Sequence, residues 1–171
     1  MQEECYHLLF RKKFYNILDE LHLDVDTWII SYNNERSHSG KHCFGKTPMQ
    51  TFRDSIYIAK EKNIYIVLPV FDLGKKPAEN KVYIIDPNGE IVLTHVKYGG
   101  NDFEGSLKGD GVLQTIDTPY GKLSAVICWD ADFPTVIKQA GEQNVDLLFV
   151  PANDWREVKD IHAGMSTFRA V

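Results

Sequence analysis

Residues 125–130 read Ala125-Val126-Ile127-Cys128-Trp129-Asp130. A hydrophobic run ends on a cysteine, and an acidic, proline-marked segment, Ala131-Asp132-Phe133-Pro134, follows. Cysteine is among the most often buried residue types, and a buried thiol is mostly inert. A thiol at the junction of a strand and a helix start has different prospects. The strand fixes its position, while the helix N-terminus offers N–H groups and positive partial charge that favour a thiolate and later an oxyanion. Both readings stand on these six residues alone.

The pattern on either side predicts the setting. Downstream, "DFPTVIKQAGEQ" reads as a helix capped by Asp132, "VDLLFVPA" as a buried strand, and "WREVKDIHAGMSTFRAV" as a helix that the chain end cuts off. Upstream, "GVLQTIDTPYGKLSAVIC" reads as strand–turn–strand with its corner at "TPYG". "IYIVLPVF" is a further strand, and "KVYIIDP" and "IVLTHVK" pair as a hairpin across "DPNGE". Strands in pairs followed by strand–helix–strand predict an α/β layered domain.

Acyl chemistry at a thiol needs a base for its proton and a cation or donor for the developing charge. Lys97 ends a predicted strand just before Gly99-Gly100, a pair that reads as flexible, and is placed to supply the cation. Glu104, in "NDFEGSLKGDG", is placed to orient it. Asp130 and Asp132 read as capping and elbow residues rather than metal ligands. His38, His42 and Cys43 lie close in sequence but lack a Cys-x-x-Cys partner, so they read as loop residues and not a zinc site. Trp28, Trp155, His162 and Met165 read as packing residues.

The 171 residues carry a net charge of −5, which gives no basic field to draw nucleic acid or anionic lipid. Apolar runs are strand-sized, short of the ~20 residues a membrane span needs. Three widely spaced cysteines (Cys5, Cys43, Cys128) argue against a disulfide framework and fit a reducing cytoplasm. Residues 1–54 have a different texture. Phe10, Phe14, Ile17, Leu18, Leu21, Val25, Trp28, Ile29 and Tyr32 follow helical spacing, as two helices or one broken helix. Thr47-Pro48 then opens another helix to about Lys62.

Residues 56–171 resemble the nitrilase superfamily of carbon–nitrogen hydrolases. The resemblance rests on "ICWDADFP", "GEIVLTHVKYGGNDFEGS", "GDGVLQTIDTPYGKLSAVICWDADFP" and "PANDWREVKDIHAGMSTFRAV", in that family's order of motifs. It implies an αββα sandwich, here partial, with an N-terminal helical appendage. It also implies Cys128 as nucleophile, Lys97 stabilising the tetrahedral intermediate, Glu104 as the additional glutamate, and the Trp129 backbone N–H at the oxyanion site. Substrates would be small amides, nitriles or acyl compounds, with no metal or organic cofactor, and the chain could pair with a second copy. Details look closest to the branch with the soluble domain of apolipoprotein N-acyltransferase, with simple amidases as the alternative. The family's general-base glutamate is not carried onto Glu20 or Glu35, which lie in helical sequence of another kind. The expectation is a truncated, inactive domain.

Residues 1–54 resemble the tail of an insertion-sequence transposase with an integrase-like core, on "YNNER", "HSG" and "KTP" at 32–36, 38–40 and 46–48. Catalytic carboxylates of such a core would precede Met1. Seven Lys/Arg against eight Asp/Glu make a piece with no phosphate-binding character. The rival readings are therefore a DNA-associated transposase remnant and a non-catalytic interaction protein.

Overall fold

Asp86 starts the turn that organises the strand-rich part of the chain. Its carboxylate accepts the Asn88 and Glu90 backbone N–H groups at 2.9 and 2.8 Å and the Asn88 side-chain amide at 2.9 Å. Gly89 completes the turn at φ +77°, where a side chain would be strained; a Cβ there would also sit 2.4 Å from Lys60 Cε. The computed structural model that shows this describes residues 14–37, 44–72, 75–100, 102, 105–153 and 158–169. The chain forms two units, Met1–Asp54 and Ser55–Val171.

The first unit contains helix α1 (Leu18–Asn34), one helix among the described residues where the spacing allowed two. Helix α2 (Pro48–Lys62) begins in this unit and ends in the second. Its start is a reciprocal cap. Gln50 N donates to Thr47 Oγ1 at 3.2 Å, and Thr47 N donates to Gln50 Oε1 at 3.0 Å. Pro48 at the first helical position needs no N–H partner.

The second unit is mixed α/β. Strands β1 (Ile66–Asp72), β2 (Glu79–Ile85) and β3 (Ile91–Val96) form an antiparallel sheet in that order. Pro69 lies in β1, an edge strand, where a missing N–H is tolerated. A second sheet pairs β4 (Thr115–Thr118) antiparallel with β5 (Gly121–Ala125), and β5 parallel with β6 (Leu147–Phe149). Helix α3 (Pro134–Glu142) joins β5 to β6, and helix α4 (Lys159–Arg169) follows. Period-2 alternation splits the residues around β5 between two cores. Leu123, Ala125 and Ile127 join Val82, Ile84 and Leu93 of the first sheet. Val126 packs with Leu113 and Val136 of α3. At ~1.5–3 kcal/mol for each fully buried aliphatic side chain, these two clusters hold the sheets and α3 in place.

β6 is less buried than its sequence implied: Leu147 is 49% exposed. Met165 is also exposed rather than core-facing. Among the described residues no helix is long and apolar enough to cross a membrane.

Burial alone would raise the Asp86 pKa, but the hydrogen bonds from Glu90, Asn88 and Gly89 outweigh it and hold it below the ordinary carboxylate value. A folded pKa below the unfolded one contributes stability above pH ~4 that is lost as pH falls through the folded value. Asp86→Asn is therefore expected to cost about 1 kcal/mol at pH 7. The gap should begin to shrink as pH falls below about 4, as read from paired urea melts across that range.

Candidate active site

Two extended residues beyond β5, Cys128 opens a five-residue 3-10 turn, Cys128–Asp132. Its φ is +47°, a left-handed value that costs a non-glycine residue roughly 1–3 kcal/mol and persists where the surroundings impose it. They do so here. Val126 N donates to Phe149 O at 3.0 Å, Cys128 N to Pro151 O at 2.9 Å, and Asp130 N to Ile127 O at 2.9 Å. The thiol is half-buried and forms no disulfide.

The expected helix start is displaced. α3 begins at Pro134, and its N-cap is Phe133 without a side-chain cap, so Asp132 does not cap it. The first helical residue thus lies six positions after Cys128, with the 3-10 turn between them. Asp132 instead lies 3.9 Å from His162 Nε2 of α4.

Lys97 follows β3 and is 3% exposed. Its N donates to Asn80 O and its carbonyl accepts from Gly109 N, both at 2.8 Å. Its Nζ lies 3.7 Å from the place a Cβ on Gly100 would occupy, and Trp129 Cε3 lies 2.8 Å from that same place. The ammonium and the residue after Cys128 thus share the space over Gly100. The Gly99-Gly100 pair is tightly packed rather than loose: a Cβ on Gly99 would sit 2.3 Å from the Phe133 ring. The missing side chains let the Lys97 loop press onto the elbow.

Asp130 joins the two. It is fully buried, and Oδ1 accepts from Tyr98 N at 2.9 Å and Gly99 N at 2.7 Å. Oδ2 accepts from Ile127 N at 3.1 Å and pairs with His95 Nε2 at 2.8 Å. His95, also buried, had no role in the sequence reading. The available signal was its place two residues after Leu93 on the inward face of β3. Asp130 does structure the elbow: it holds Ile127 N three residues before it, and its other three partners lie more than thirty residues away.

Glu104, Cys5, Cys43, His38, His42 and Trp155 lie outside the described residues. Among the described residues, no three His, Cys, Asp or Glu side chains are grouped to hold a metal ion. Glu20 and Glu35 are exposed in the first unit, and Glu35 accepts from Ser31 Oγ at 2.7 Å.

The sequence profile of the carbon–nitrogen hydrolase family matches residues 27–169, most of the chain. The chain belongs to the carbon–nitrogen hydrolase family. This match starts at residue 27 rather than 56, and takes in half of the segment that resembles a transposase tail. That earlier boundary, and the tail itself, find no support in the comparisons.

Within the carbon–nitrogen hydrolases, the chain is 27% identical to Nitrilase 1 of Arabidopsis thaliana over 100 residues, which are 57% of this chain and 29% of the relative. It is 28% identical to the mouse (Mus musculus) omega-amidase NIT2 over 119 residues, 62% of this chain and 42% of the relative. It is 33% identical to a formamidase of Bacillus thuringiensis strain Al Hakam over 93 residues, 52% of this chain and 28% of the relative. Among solved structures, a variant amidase from Nesterenkonia sp. AN1 carries the acetamide moiety of fluoroacetamide on its active-site cysteine. It superposes with TM-score 0.61 at 20% identity, over 72% of this chain and 48% of that one. Likeness at that identity shows the shared fold. The chain spans less than half the length of each of these relatives.

Proposed function

We propose that this chain carries the nucleophile and oxyanion side of a cysteine-dependent amide hydrolase, within a partial αββα sandwich. The observation that carries the reading is the imposed left-handed Cys128 at the end of β5, beside the loop that buries Lys97. Cys128 is the nucleophile. Lys97 holds the oxyanion and favours the thiolate, Glu104 orients Lys97, and the Trp129 backbone N–H is a second oxyanion donor.

Thiolate attack on a small primary amide forms the C–S bond. Collapse of the tetrahedral adduct breaks the C–N bond. The amide nitrogen leaves as ammonia carrying the thiol's proton, and a thioester remains on Cys128. Water then releases the acid; an amine acceptor would give acyl transfer instead. Both halves require a base, and the glutamate that would serve is assigned to neither Glu20 nor Glu35. We therefore propose alkylation of Cys128 by an activated amide, with no detectable turnover of an unactivated one. With acetamide, ammonia release should stop at or below one equivalent per chain, and fluoroacetamide should leave an adduct on Cys128 visible by peptide mass spectrometry. Continuous ammonia release would overturn the inactivity. No adduct at Cys128 would overturn the nucleophile assignment.

A second reading, that residues 1–54 descend from a transposase tail, rests on the sequence resemblance of residues 32–48 alone. The family match over residues 27–54 speaks against it. Salt-dependent binding of duplex DNA would support a DNA-associated role, and the acidic balance of the segment predicts none.

A further inference from the structure

We propose that Asp130 is a positioning residue that sets the Lys97 ammonium relative to the Cys128 thiol. This rests on the nucleophile reading above. The argument is one of placement. The groups bound by the Asp130 carboxylate are His95, Tyr98 and Gly99, which bracket Lys97, and Ile127, which immediately precedes Cys128. One side chain therefore ties both flanks of the proposed cation to the backbone that leads into the proposed nucleophile. Each oxygen of a carboxylate can accept two hydrogen bonds, and here each has two partners within hydrogen-bond distance.

The chemistry of the substituted groups makes the inference specific. Asparagine at 130 keeps one acceptor oxygen for Tyr98 N and Gly99 N. Its amide nitrogen then faces the Ile127 N–H, donor against donor, at the residue before Cys128. A fully buried N–H is left without its acceptor, and the backbone shifts to find another. A merely structural carboxylate would lower stability on loss and leave thiol chemistry alone. A positioning carboxylate alters the thiol through Lys97, so its effect disappears once Lys97 is gone.

The test is the pH dependence of Cys128 alkylation by iodoacetamide, followed by peptide mass spectrometry on the full chain. The variants are Asp130→Asn, Lys97→Met and the double variant, each checked by thermal melt. Lys97→Met should slow alkylation at pH 7 about tenfold, one unit of thiol pKa. Asp130→Asn should lie between wild type and Lys97→Met, and the double variant should match Lys97→Met. An Asp130→Asn chain that folds and keeps the wild-type profile overturns the proposal, as does a double variant whose loss is the product of the two single losses. If Asp130→Asn does not fold, His95→Leu removes one carboxylate partner and leaves the backbone donors. It should shift the profile in the same direction but less, and an unchanged profile overturns the proposal. Wild-type Cys128 no faster than Cys5 and Cys43 would instead overturn the nucleophile reading beneath it.

Discussion

Replacing Lys97 by methionine is expected to slow Cys128 alkylation about tenfold at pH 7 and to lower the thermal midpoint as well. Lys97 is 3% exposed, and taking an ammonium out of water costs several kcal/mol, which its partners must offset. Methionine has a similar length and no charge, so the packed space over Gly100 stays filled. Removing the cation leaves the partners of Lys97 without it, so stability and reactivity are both expected to fall, and the reactivity is the readout that tests its role. A positive charge close to a thiol favours the thiolate, and the Lys97 ammonium shares the space over Gly100 with Trp129, the residue after Cys128. The α3 N-terminus lies beyond the 3-10 turn. Loss of stability with wild-type reactivity in the folded fraction would assign Lys97 to the core instead.

Gly109→Ala is expected to have the largest effect on stability, roughly 3 kcal/mol. A Cβ on Gly109 would lie 2.2 Å from Val96 O and 2.9 Å from Val96 C. Both are backbone atoms, so no rotamer change relieves the overlap. The Gly109 N–H also donates to Lys97 O, so strand end and loop must part, and Lys97 moves with them. A urea melt should show an earlier midpoint, and Cys128 alkylation in the surviving folded fraction should slow. A variant with wild-type midpoint and reactivity would mean that this contact does not hold Lys97.

The local elements were legible because their signals are local. Thr47 and Pro48 mark a helix start side by side, and the structure adds Gln50 as the reciprocal partner of the cap. Asp86 to Glu90 spell a turn, and β2 and β3 pair across it, with a bulge at Ile84/Ile85. The Asp130 link was not legible, because thirty-five residues separate it from His95 and nothing local marks the pairing. The 3-10 turn was also missed. Pro134 suits the first helical position so well that the start of α3 belongs there, which leaves Cys128 to Asp132 as a separate turn. The family's reach back to residue 27 was illegible for another reason: amphipathic helical spacing in α1 and α2 suits many folds.

The most direct measurement is the relative iodoacetamide labelling rate of Cys5, Cys43 and Cys128 in the intact wild-type chain at pH 7, by peptide mass spectrometry. A thiol seated at an imposed left-handed residue beside a buried ammonium should label about tenfold faster than the other two. Equal rates at all three cysteines would contradict the account.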